Sequence, residues 1–151
     1  MEMGTGKSKV CIDNVALLYE RKEIDAFVIV APKGVYRNWA RLEIPAHMPD
    51  RAKYDMVVWT PSPTKKHKQE LLEILEPSES LKIFIMNVEA LSTSKGRRFL
   101  TTFLDHSRSL LTVDESTAIK SPKARRTKAL ISLAPLAQYR RILTGFPVTQ
   151  S

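Results

Sequence analysis

Ala26-Phe27-Val28-Ile29-Val30-Ala31 is a run of six apolar residues, three of them β-branched, halted by Pro32 and Gly34. A strand that is apolar on both faces has to be covered on both faces, as a central strand of a parallel sheet is between two layers of helices. Ser80–Met86 and Ser109–Val113 read the same way, and Tyr54–Trp59 and Tyr139–Leu143 give two further strands. The intervening stretches carry helical periodicity. In Lys7–Glu20, Cys11, Val15 and Leu18 fall at i, i+4 and i+7, and Ile12 and Ala16 widen the stripe. Val35–Glu43 is predicted as a short helix ending near Pro45. Further helices are predicted over Lys65–Glu76, Gly96–Asp105 and Lys123–Leu133. Strand and helix alternate throughout, which predicts an α/β fold of three layers with a mostly parallel sheet.

The 151 residues suffice for one such domain, and neither a repeat nor a low-complexity linker divides them. Hydrophobic residues at 43% exclude a wholly disordered chain. No apolar run reaches the roughly 18 residues of a membrane span, and the N-terminus lacks the apolar core of a signal peptide. A single cysteine forms no internal disulfide. The expected location is the cytoplasm, or a host's cytoplasm for a phage-encoded protein. The net charge of +8 is uneven: residues 111–151 carry 7 basic and 2 acidic side chains. A polyanionic partner suits that balance. The densest basic cluster, Lys120, Lys123, Arg125, Arg126 and Lys128, lies in this third.

Two patterns carry chemistry. Gly4-Thr5-Gly6-Lys7-Ser8 precedes the first helix. Small residues there let successive N–H groups converge on phosphate oxygens at the positive end of a helix. Lys7 would neutralise the β- and γ-phosphates, and the Ser8 hydroxyl would ligate Mg²⁺. The second pattern, Leu110-Leu111-Thr112-Val113-Asp114-Glu115, ends an apolar strand in two acids, 107 residues after Lys7. Asp114 would hold Mg²⁺, and Glu115 would polarise an attacking water. The implied cofactors are ATP and Mg²⁺. His47, His67 and His106 lack metal-ligand spacing, Cys11 sits on a buried stripe, and Trp39 and Trp59 flank core elements, where they read as core residues.

With both patterns in place, the sequence resembles the first RecA-like lobe of superfamily 2 helicases and translocases, above all the Swi/Snf type and its bacterial and phage relatives. Glu2–Ser8 is similar to the family's EMGxGK[ST]. Val28–Pro32 with Asn38-Trp39 resembles motif Ia and its following helix. Ile83–Leu91 looks like the family's ITSYETL segment. Asp114-Glu115-Ser116-Thr117 stands where DEAH is usual, Ile119–Lys123 is much like IKNPK, and Leu143–Pro147 resembles LTGTP. Ser116-Thr117 and Phe146 depart from the family pattern, and Gln150 replaces its terminal Asn.

The resemblance implies an ATP-binding lobe of a DNA-dependent ATPase, a helicase or duplex-DNA translocase. Pro32, Lys33, Gly34 and Asn87 would touch nucleic acid, and Thr144 and Gly145 would couple nucleotide state to lobe closure. It also implies a single domain over 1–151 truncated at both ends. The loop lacks a preceding strand, and the second RecA-like lobe with its arginine finger lies outside these residues. The isolated chain is therefore expected to be inactive or weak as an ATPase. The alternative is a non-hydrolysing fragment that binds nucleic acid or another partner.

Overall fold

A computed structural model describes residues 5–114 and 124–143. The elements run α1 (Thr5–Glu20), β1 (Ala26–Ala31), α2 (Tyr36–Asn38), a π turn (Trp39–Glu43), α3 (Ile44–His47), β2 (Tyr54–Val58) and α4 (Lys65–Glu73). They continue with β3 (Leu81–Asn87), a 3₁₀ turn (Val88–Ser92), α5 (Ser94–Asp105), β4 (Ser109–Asp114), α6 (Arg125–Leu133), a 3₁₀ turn (Ala134–Leu136) and β5 (Tyr139–Leu143). Among the described residues the five strands form one sheet in the order β2-β3-β1-β4-β5, with every pairing parallel. The predicted α/β class with a parallel sheet is borne out.

Side chains alternate between two interiors, as the period of two in a strand requires. On one face Phe27 and Ile29 of β1, Ile83 and Ile85 of β3, and Leu110 of β4 meet Ile12 and Val15 of α1 and Trp39 of the π turn. On the other, Val28 and Val30, Phe84 and Met86, and Leu111 and Val113 meet α4, α5 and α6. β1, β3 and β4 are buried along their whole length, whereas β2 and β5, at the two edges, are partly exposed. All five residues of the predicted α1 stripe, Cys11, Ile12, Val15, Ala16 and Leu18, are buried.

Several boundaries differ from the sequence reading for local reasons. The helical path after β1 does not stop at Pro45 but reaches His47. Proline lacks the N–H that would bond back to Arg41, and the ladder slips by one residue: Ile44 N–H donates to the Trp39 carbonyl, five residues back. α4 ends at Glu73 rather than Glu76, because Pro77 biases the residue before it away from helix. α5 begins at Ser94, two residues earlier than expected, since the Thr93 hydroxyl caps it by accepting from the Gly96 N–H at 3.0 Å.

Gly96 has a steric reason to be glycine. A Cβ there would lie 2.2 Å from the carbonyl oxygen and 2.9 Å from the carbonyl carbon of Ala90, in the preceding 3₁₀ turn. Backbone atoms cannot swing aside as a long side chain can. Gly96→Ala is expected to lower stability by about 1–3 kcal/mol, read as a lower urea midpoint at unchanged slope.

Candidate nucleotide and nucleic-acid site

The C-terminal rim of the sheet gathers the motifs. Ala31 pairs with Asn87, Val30 with Val113, and Asp114 with Leu143. The residues that follow Ala31 (Pro32, Lys33, Gly34), Asn87 itself, Asp114 and Leu143 therefore stand level along one edge. Glu115, Thr144, Gly145 and Gly4 lie outside the described residues, as do Lys120 and Lys123.

α1 delivers its own beginning to this rim. Its C-terminal end is tied to the opposite edge of the sheet: Arg108, just before β4, donates to the Lys22 carbonyl at 2.8 Å, and the Tyr139 hydroxyl at the start of β5 donates to Glu23. Sixteen helical residues rise about 24 Å, slightly more than the length of a six-residue strand. The first turn thus reaches the strands' C-terminal ends. Midway, Cys11 Sγ lies 3.3 Å from Thr112 Oγ1, which fixes the helix against β4. Ser8 is one turn before Cys11, and Asp114 is two residues after Thr112 on the same face of the strand. The two steps lead in the same direction. Ser8 is buried, as is Asp114. The helix starts at Thr5, two residues ahead of the predicted boundary, and no acid stands in its first turn to oppose an anion.

Asp114 has a partner that the residue-by-residue reading passed over. Trp39 Nε1–H donates to Asp114 Oδ2 at 2.8 Å, across 75 residues of sequence. Trp39 is 2% exposed and meets Phe27 edge-on with ring centroids 6.3 Å apart, so it is a core residue as expected, with a second role in aiming the carboxylate. The available signal was the indole N–H, a donor that needs an acceptor when buried. A hydroxyl and a carboxylate suit a hard divalent cation that prefers oxygen, so Ser8 and Asp114 fit Mg²⁺ chemically.

Burial pushes the Cys11 thiol above its ordinary 9.0, its bond to Thr112 and the charge of Arg141 oppose this, and the charge of Asp114 adds to it. The folded protein favours the neutral thiol, so this contribution to stability is complete below pH 9 and is lost as pH rises through the folded value. Iodoacetamide should accordingly modify Cys11 far more slowly in native protein than in urea. Equal rates would contradict the burial.

On the nucleic-acid side, Lys33 and Gly34 are exposed and Pro32 is half-buried. A Cβ on Gly34 would meet nothing within 4 Å, and the residue has no left-handed backbone to require glycine. Asn87 differs: it is buried, its Nδ2 donates to Glu89 Oε1 at 3.3 Å, and its Oδ1 has no partner among the described residues. Glu89 in turn faces Arg126 of α6 at 3.9 Å.

A five-stranded, all-parallel sheet flanked by helices is the architecture of a RecA-like lobe. The family model of the SNF2-related domain matches residues 1–151. The chain belongs to that family, whose members are ATP-hydrolysing, helicase-like proteins that use a nucleotide and Mg²⁺ and act on nucleic acid. No curated protein matches it. Among the described residues no helix is long and apolar enough to cross a membrane.

Proposed function

We propose that this chain is the ATP-binding lobe of a duplex-DNA-dependent ATPase, coupling hydrolysis to movement along the nucleic acid. What supports this reading is the Cys11–Thr112 contact, one helical turn after Ser8 and two residues before Asp114, together with the burial of both Ser8 and Asp114. Gly4, Thr5, Gly6, Lys7 and Ser8 would wrap the triphosphate with backbone N–H groups. Lys7 would offset charge on the β- and γ-phosphates, and Ser8 and Asp114 would hold Mg²⁺. The ion, when bound, draws charge from the phosphoryl oxygens. Glu115 would orient the attacking water, and Thr144 and Gly145 would relay the nucleotide state to a second RecA-like lobe. That lobe would come from outside residues 1–151, which would form one domain, and the isolated chain would hydrolyse ATP weakly or not at all.

The exposed Lys33 and Gly34 are the best-placed nucleic-acid contacts, with Asn87 beside them shaping the rim. The open space around Gly34 supports this, because nothing inside the protein needs a glycine there and a close backbone approach by a ligand would. Gly34→Ala should leave stability within about 0.5 kcal/mol while weakening binding to duplex DNA. Lys33→Ala should weaken it across all sequences and reduce the salt slope of binding by about 1. Unchanged DNA affinity in both variants would remove this turn from the interface.

The functional test is ATP turnover with and without duplex DNA, on the isolated chain and on the longest natural protein containing it. DNA-stimulated turnover by the longer protein is the expected result. Turnover unaffected by DNA would overturn the coupling, and robust turnover by the isolated 151 residues would overturn the need for a second lobe.

A further inference from the structure

The face of the sheet opposite α1 carries a groove of about 500 Å³ between α4 and α5 that none of the preceding roles uses. Its two walls have the same spacing. Lys68, Leu71 and Leu72 follow i, i+3, i+4 along α4, with Leu75 in the turn just past its end, and Lys95, Arg98, Phe99 and Thr102 follow i, i+3, i+4, i+7 along α5. Such stripes make a trough running lengthwise between two helices. Both helices leave the C-terminal ends of adjacent parallel strands, β2 and β3, so they run in the same direction and their N-termini lie together. Lys68, Lys95 and Arg98 are gathered at that end, where the two helix dipoles are also positive. The other end holds Leu75 and Thr102.

The groove is of one charge sign. No acid lines it, and among the described residues none of Lys68, Lys95 and Arg98 makes an ion pair. Its apolar wall is open to solvent, with Leu72 61% exposed on a helix that otherwise shows water its polar side. A polyanion needing π platforms fits this lining poorly. Trp59 is 7% exposed and boxed by Phe84 and Phe99 at 6.3 and 5.7 Å, and leucines offer a base no stacking face.

The geometry points to a docking site for an amphipathic helical peptide segment of a partner, with leucine-type anchors on one face and a cluster of carboxylates at one end. The anchors lie over Leu71, Leu72 and Phe99, and the acids meet Lys68, Lys95 and Arg98. A helix laid between two helices is a recurring way to fill such a trough, and its volume is within the range of functional pockets. The site stands independently of the nucleotide reading, because it lies on the other face of the sheet.

The probe is a synthetic helical peptide of about 15 residues, long enough to be marginally helical alone, with leucines at i, i+3 and i+7 and glutamates at one end. A matched peptide with lysine for each glutamate is the control. Binding to the full chain is followed by the indole resonance of Trp59 and by titration calorimetry. The acidic peptide should shift the Trp59 signal and the lysine peptide should not. Leu72→Glu, at a solvent-facing position that keeps the fold, should weaken binding about tenfold or more, and so should Lys95→Glu combined with Arg98→Glu. Lys33→Ala should leave it unchanged, which separates this site from the DNA-facing turn. Equal binding of both peptides, affinity unmoved by Leu72→Glu, a silent Trp59, or displacement of the peptide by single-stranded DNA would each overturn the proposal.

Discussion

Lys7→Ala is expected to lower ATP turnover of the protein containing this lobe by at least about a hundredfold, the scale set by removing one strong electrostatic stabiliser from a phosphoryl or acyl transition state. The reason is positional. Lys7 lies in the first turn of α1, and the ties at Lys22, Glu23 and Cys11 orient that turn toward the sheet rim that carries Asp114. No other lysine of α1 can replace it, because Lys9 points away and pairs with Asp13 at 2.8 Å on the exposed side. The variant should lose nucleotide binding, measured with a fluorescent ATP analogue. Glu115→Gln should behave differently, keeping binding while turnover falls about 10²–10⁴-fold, the share a positioned general base contributes. Normal hydrolysis by Glu115→Gln would show that the water is activated elsewhere.

Trp39→Ala should cost about 3–5 kcal/mol of stability, the range for removing a buried aromatic side chain, and lower the melting temperature by roughly 6–20 °C. The informative comparison is Trp39→Phe. It keeps a ring against Phe27 but removes the N–H that reaches Asp114 at 2.8 Å. A hydrogen bond to a charged group contributes about 1.5–3 kcal/mol, and groups that orient a metal ligand typically change metal affinity 10–100-fold. Trp39→Phe should therefore fold, bind metal-free ATP as before, and need about tenfold or more Mg²⁺ to reach half-maximal turnover. An unchanged Mg²⁺ midpoint would leave Trp39 as a core residue alone.

The fold was legible wherever a residue's environment is set by its near neighbours. β1 and β5 have the bounds expected from the sequence, and the α1 stripe is buried as its spacing requires. The π turn was not legible, because proline usually marks an ending, and only the surrounding structure decides that the helix slips a register and continues. The two 3₁₀ turns were hidden for a similar reason: a few residues closing i→i+3 bonds leave no periodic trace. At the candidate site, residue type and order are what single out Lys7, Ser8 and Asp114, the latter two of which are buried. The Trp39–Asp114 bond joins residues 75 apart, and nothing local in either segment names the other. The α4–α5 groove needs still more, since two ordinary stripes become facing walls only once β2 and β3 are known to be neighbours.

The short helical path after β1 has one more consequence. It begins at the exposed Lys33–Gly34 turn and within five residues reaches Trp39, whose indole grips Asp114, while the Tyr36 hydroxyl anchors the same path to the Trp59 carbonyl at 3.0 Å. One short segment therefore links an exposed turn to a buried acid, with Tyr36 fastened between them.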